Sequence, residues 1–210
     1  MMEEKVLTLH EFDLQYYDKY PLLCGTDEAG RGPLAGDVFA AAVIFASDTV
    51  IEGINDSKKL TPKKRDALYD EIKEKAIYWS IQRATVAEIE ELNILNCAML
   101  AMKRSVESLG VVPDLVIADG NKTPPVSCPV EYLIKGDAKS QSVAAASILA
   151  KVERDRYMEA MAEKYPQYDF DKHKGYGTKL HYQRIDEFGP CDIHRLSFLK
   201  KYYAKKQNDS

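Results

Sequence analysis

Apolar positions along this chain recur with two periods. Short unbroken or alternating runs lie at 22–28 (LLCGTDE), 37–45 (DVFAAAVIF), 77–86 (IYWSIQRATV), 113–120 (PDLVIADG) and 130–137 (VEYLIKGD). Their length and their β-branched or wholly apolar character predict strands. Helical spacing appears between them. Leu68, Ile72 and Ala76 recur one turn apart, after Thr61 as an N-cap and Pro62 at the first helical position. A second helix is predicted over 93–110, closed by Gly110, and a third over 140–165, whose alanine-rich first half suits close packing on a sheet. Two or three strands come first, and strands then alternate with helices. This is the order of an α/β fold, a mixed central sheet flanked by helices, with antiparallel strands at its start. Residues 1–20 read as an N-terminal extension, 21–165 as the core, and 166–210 as a small helical C-terminal subdomain with a basic tail.

The strand ends change this picture from architecture to chemistry. Three predicted strands finish in acids: Asp27 with Glu28, Asp119, and Asp137. Strand ends along one edge of an α/β sheet converge in space. Carboxylates gathered there repel one another and call for cations or protons. Oxygen-only donors suit Mg²⁺ or Mn²⁺, the ions used for in-line phosphodiester hydrolysis. Taken singly, each acid is as well explained by a turn or a helix cap. Asp27-Glu28 differs because Gly30-Arg31-Gly32 follows it, within a stretch that also holds Gly25 and Gly36. Glycines let backbone approach a ligand, and a guanidinium supplies charge.

Composition narrows the class. The hydrophobic fraction is 45% and charged residues make up 30%, which fits a packed globular domain. No apolar run approaches the ~20 residues needed to span a bilayer, and the acidic start lacks a signal-peptide pattern, so a cytoplasmic protein without a membrane partner is expected. The four cysteines form no CxxC pair, which predicts reduced thiols. The net charge of −4 argues against a simple nucleic-acid coat. Cations nevertheless cluster in SKKLTPKKR, in DKHKGYGTK and in the tail LKKYYAKK.

The segments GTDEAGRGPLAG, NDSKKL, ADGNK, KGDAKSQSVAAASILAKVERD and HKGYGTKLHYQRIDEFGPCDIHR, in this order, resemble the type 2 ribonucleases H, specifically bacterial ribonuclease HII. The likeness runs from about residue 20 to residue 198. It implies the RNase H-like fold and a divalent metal cofactor, one or two Mn²⁺ or Mg²⁺ ions. It implies hydrolysis of the RNA strand of RNA–DNA hybrids, and nicking of duplex DNA on the 5′ side of an embedded ribonucleotide. The products carry a 3′-hydroxyl and a 5′-phosphate. By the same resemblance Asp27, Glu28, Asp119 and Asp137 are the catalytic, metal-binding acids. Gly30, Arg31 and Gly32 sense the sugar, and Tyr176 stacks on the neighbouring deoxyribose. Lys58, Lys59, Lys139 and Ser140 resemble phosphate contacts. His194 and Arg195 lie in a matching IHR and are given only a supporting role, and Asp155 reads as a helix ion-pair acid. Asp37 stands where many bacterial relatives have proline, which is expected to alter a turn and not the chemistry. The sister type, ribonuclease HIII, carries lysine in the glycine triplet and a large N-terminal domain, so Arg31 favours HII.

Other readings stay open at this level. A resolvase- or transposase-like nuclease shares the acids but lacks the glycine-arginine-glycine triplet. A non-catalytic binding module would bind without turnover. A structural calcium site would need closely spaced loop ligands, which are absent. A monomer is expected. The tail KKYYAKKQNDS has three open uses: a phosphate contact, a sliding-clamp contact, or none.

Overall fold

The computed structural model describes residues 7–55 and 57–208, without the side chains of Lys58, Gln207 and Asn208. Five strands form one mixed sheet: β1 (Leu23–Ala29), β2 (Val38–Ile44), β3 (Tyr78–Ala84), β4 (Leu115–Asp119) and β5 (Val130–Leu133), in the order β3-β2-β1-β4-β5. The first three are antiparallel neighbours, while β1–β4 and β4–β5 are parallel. This is the mixed, partly antiparallel sheet that the strand order predicts. Every residue of β2 is buried, because helices cover both of its faces.

One face carries α5 (Gln141–Lys164), with α2 (Pro62–Lys75) packed outside it. The other carries α4 (Ile94–Glu107). The alanines of α5 allow a close approach. A Cβ built on Gly25 of β1 would lie 2.1 Å from the Ser142 carbonyl carbon. Gly25 is therefore required by contact with helix backbone that cannot swing aside.

Three expectations change. The strand read over 130–137 stops at Leu133. Lys135 turns the chain left-handed at φ 57, and Gly136–Ala138 forms a 3₁₀ turn that carries Asp137. A helix not foreseen, α3 (Val86–Leu92), follows β3, since Thr85 and Glu88 form a capping box. Asp37 supports it by accepting the Val86 amide at 3.0 Å and pairing with Arg83 at 3.2 Å. The N-terminal extension contains α1 (Leu9–Tyr17). Its Asp13 is fully buried and accepts both the Ser142 amide (2.8 Å) and the Ser142 hydroxyl (2.9 Å) at the start of α5.

After α5 the chain forms α6 (Phe170–His173), α7 (Lys179–Phe188) and α8 (Leu196–Asn208). Within α8, Tyr202 donates to Asp186 of α7 and Lys206 pairs with it, both at 2.7 Å. Among the described residues no helix is long and apolar enough to cross a membrane.

Gly25→Ala forces α5 off β1. It is expected to cost about 3 kcal/mol, the upper end of overpacking penalties, and to lower the urea midpoint at unchanged slope.

Candidate active site

The sheet register sets two acids side by side. Thr26 pairs with Ala118 at the end of the parallel β1–β4 ladder, so the next residues, Asp27 and Asp119, sit side by side where those two strands part, although β1 stays paired with β2 as far as Ala29 and does not stop at its acids. Asp27 is 4% exposed. It accepts a hydrogen bond from Ser147 of α5 and, at Oδ1, the Glu28 amide at 2.7 Å. Ser147 also meets Ser57 at 3.0 Å between their hydroxyl oxygens. Glu28 leans away toward Arg31, whose Nη1 lies 3.1 Å from Oε1. Asp119 Oδ1 accepts the Gly136 amide at 2.6 Å.

Asp27, Glu28 and Asp119 line one cleft of about 270 Å³ with Gly30, Arg31, Gly32, Ser57, Ser147, Lys151 and Tyr176. Burial, then the charges of Glu28 and Asp119, push the Asp27 carboxyl well above the usual carboxylate range. Burial also raises Glu28, opposed by its bond to Arg31. This donor set consists of hard oxygens short of positive charge, which fits a divalent ion of the Mg²⁺ or Mn²⁺ type. Among the described residues no three ligating groups close on one point as the side chains stand. Glu28 is held by Arg31 and Asp119 by the Gly136 amide, so an ion has to draw both in.

The remaining sequence candidates divide. Asp137 is 6% exposed in its 3₁₀ turn, beside the amide that holds Asp119, and does not line the cleft. Ser140 was expected to contact phosphate but is fully buried. It is the N-cap of α5, accepting the Val143 amide at 3.2 Å. Lys139 and Lys59 are exposed outside the cleft lining, and the side chain of Lys58 lies outside the described residues. Asp155 pairs with Lys151, one turn earlier on α5, at 2.6 Å.

The loop from Gly30 to Gly36 is caged by two arginines to which the sequence reading gave little or no part. Arg195 is fully buried, and all five of its N–H donors are spent on four carbonyls of this loop. Nε and Nη2 reach Gly36 O (2.9 and 2.6 Å), Nη2 also reaches Gly30 O (2.7 Å), and Nη1 reaches Arg31 O (3.1 Å) and Pro33 O (2.8 Å). Arg154, also fully buried, donates to Ala35 O (3.2 Å) and Lys174 O (3.1 Å). Gly30 adopts φ +102, and a Cβ there would strike Arg154 Nε at 2.1 Å. Desolvation pushes Arg195 down to about 9, still charged at neutral pH.

Across the cleft stands Tyr176, 44% exposed. Its ring edge is 3.8 Å from where a Gly32 Cβ would be, and its centroid is 5.8 Å from the Arg154 guanidinium carbon. The Gly175 carbonyl accepts the Leu34 amide at 2.8 Å, tying the tyrosine loop to the glycine loop. Ser147 and Lys151 also escaped the sequence reading. Their signal is a serine and a lysine one turn apart, in line with Asp155 a turn further on, on a helix whose first half is otherwise rich in alanine.

Comparison with known proteins gives the family. The profile of the Ribonuclease HII family matches residues 24–201. A Ribonuclease HII of Caldicellulosiruptor saccharolyticus is 56% identical over 181 residues, 86% of this chain and 88% of that protein. The crystal structure of ribonuclease H2 from Pyrococcus horikoshii OT3 superposes with a TM-score of 0.70 at 26% identity, over 83% of this chain and 92% of that one. RNase HII from Archaeoglobus fulgidus, solved in complex with PCNA, gives 0.66 at 25% identity, over 83% and 94%. The match begins in the strand that delivers Asp27 and Glu28 and ends in the helix that follows Arg195, and this chain belongs to the ribonuclease HII family, the type 2 ribonucleases H.

Proposed function

We propose that this protein is a divalent-metal-dependent endoribonuclease. It hydrolyses the RNA strand of RNA–DNA hybrids and nicks duplex DNA on the 5′ side of an embedded ribonucleotide, leaving a 3′-hydroxyl and a 5′-phosphate. The reading places it in ribonucleotide excision during DNA replication and repair. One observation carries it. The acids Asp27, Glu28 and Asp119 share a single cleft with the Gly30–Gly32 backbone and the Tyr176 ring.

Only the 2′-hydroxyl separates RNA from DNA at a given position. A glycine backbone can approach a ribose that a side chain would block. Tyr176, opposite Gly32, closes the gap to the next sugar. Arg31, half-exposed and leaning on Glu28, is placed to release that carboxylate and take a phosphate. Asp27, Glu28 and Asp119 would hold Mg²⁺ or Mn²⁺, with Asp137 behind Asp119. When bound there, such an ion would supply the positive charge that polarises a phosphodiester and lowers the pKa of an attacking water. The 2′-hydroxyl is recognised and not used as nucleophile, so no cyclic phosphate forms. The archaeal relative solved with PCNA supports a sliding-clamp contact, and the basic tail is the segment we assign to it.

The test is a labelled duplex with one ribonucleotide, in Mg²⁺ and in Mn²⁺. Wild-type protein is expected to nick 5′ to the ribonucleotide and to leave an all-DNA duplex intact. Asp27→Asn is expected to lose ~10²- to 10³-fold in rate, as for removal of one preorganised electrostatic group, without losing thermal stability, since it removes a buried carboxyl that is disfavoured when charged. No nicking by folded wild type in either metal defeats the proposal.

A second expectation follows from linkage. Asp27 and Glu28 have raised folded-state values, so the metal-free native state binds more protons than the unfolded chain. Their contribution to stability is full below the ordinary carboxylate range and falls as pH rises through the raised values. An ion relieves that loss. The Mn²⁺-induced rise in Tm is therefore expected to grow as pH rises above the ordinary carboxylate range and to shrink in Asp27→Asn. A rise independent of pH contradicts metal binding at these acids.

A further inference from the structure

Three of the chain's four histidines, His173, His181 and His194, are buried together behind Tyr176. His173 and His181 stack with centroids 4.3 Å apart, and His181 Nε2 lies 3.0 Å from His194 Nε2. Two imidazole nitrogens can bond only if one carries a proton and the other does not. Which is which follows from the backbone groups at the two ends. His194 Nδ1 sits 2.9 Å from the Cys191 amide, which can only donate. The proton of a neutral His194 is therefore on Nε2, and it points at His181. His181 Nε2 must accept, so its own proton is on Nδ1, 3.0 Å from the Tyr176 carbonyl, which can only accept. The two ends agree, and the chain runs one way: Cys191 N–H, His194, His181, Tyr176 C=O. His173 is fixed as well. Its Nδ1 accepts the Gly175 amide at 3.2 Å, and its Nε2 donates to Tyr168 O at 2.9 Å. Burial pushes His181 and His194 down to about 4, so both rings are neutral at physiological pH.

What this chain terminates on is a functional loop. Its last acceptor is the backbone of the tyrosine that faces Gly32 across the cleft. Gly175, just before, bonds to Leu34 of the glycine loop, and the residue after His194 is Arg195, which cages that loop. We propose that His181, backed by His194, is a positioning residue for Tyr176: a one-way chain of neutral imidazoles fixes the tyrosine backbone so that its ring stands against Gly32 at the edge of the cleft and meets the sugar there. This rests on the reading of Tyr176 as a sugar contact.

Two measurements separate the parts. Long-range ¹H–¹⁵N spectra of histidine-labelled wild type at pH 7 read the tautomers without substrate. Nε2–H is expected for His194 and His173, and Nδ1–H for His181. Kinetics on the single-ribonucleotide duplex then test the role. His181→Phe keeps the ring volume and loses the donor. It is expected to raise KM about tenfold, the scale of one lost hydrogen bond, with kcat and Mn²⁺ affinity little changed. In His181→Asn the amide nitrogen can take the place of Nδ1, and most of the loss should be recovered. In a Tyr176→Ala background, His181→Phe should add nothing. A different His181 tautomer, equal losses in His181→Phe and His181→Asn, or a full effect without Tyr176 overturns the proposal. Wild type with the expected tautomers but no nicking overturns the sugar reading and this role with it. Nicking with the wrong tautomers overturns the histidine chain alone.

Discussion

Everything at this site depends on one buried guanidinium. The segment between β1 and β2 must leave the sheet, expose backbone to a ligand and return, with a single isolated bridge, Ala35 to His194, as its strand-like pairing. Its inward carbonyls would be orphaned there, at a cost of ~1–3 kcal/mol each. Arg195 removes that cost. Its planar fork spends every donor on Gly30, Arg31, Pro33 and Gly36, and the carbonyl dipoles in turn solvate its charge. A lysine has neither the number of donors nor the plane. Arg154 adds bonds from its two Nη groups to Ala35 of the same segment and to Lys174 of the tyrosine loop, while its Nε is left without a partner. Because Arg195 comes from the far end of the chain, the C-terminal segment forms one wall of the candidate site.

The second constraint is electrostatic. β1 and β4 deliver Asp27 and Asp119 to adjacent positions, and Glu28 follows directly. Among the described residues little positive charge balances them: Arg31 reaches Glu28, and Lys151 is paired to Asp155. The result is a strained protonation balance at Asp27 that a cation relieves. On the proposed reading an ion at these acids would compete with Arg31 for Glu28, and metal binding would free Arg31 toward a phosphate.

Much of this was legible in the sequence, for physical reasons that also mark where legibility ends. Asp27, Glu28 and Asp119 could be found because a buried run that stops at an acid signals a strand edge. The Gly30–Gly32 triplet was legible because more glycine was present than a turn requires. Asp137 was misplaced onto a strand because left-handed Lys135 leaves no trace in apolar periodicity. The helix α3 was missed although Thr85 and Glu88 carry a capping-box signature, and α1 because its main task, capping α5 through Asp13, links residues 129 apart. Arg154, Arg195 and Ser147 act through contacts that exist only once the helices are docked. A buried arginine inside IHR looks like any surface cation until its carbonyl partners are known.

The most direct measurement is made on Arg195→Lys, which keeps the charge and removes the fork. The Mn²⁺ affinity of the folded variant is compared with its kcat/KM on the single-ribonucleotide duplex. If Arg195 acts by fixing the loop that reads the sugar, Mn²⁺ affinity stays within a few-fold while kcat/KM falls about a hundredfold, the scale of a roughly 1 Å misplacement. An unchanged kcat/KM, or a loss of metal affinity in step with it, would contradict that role.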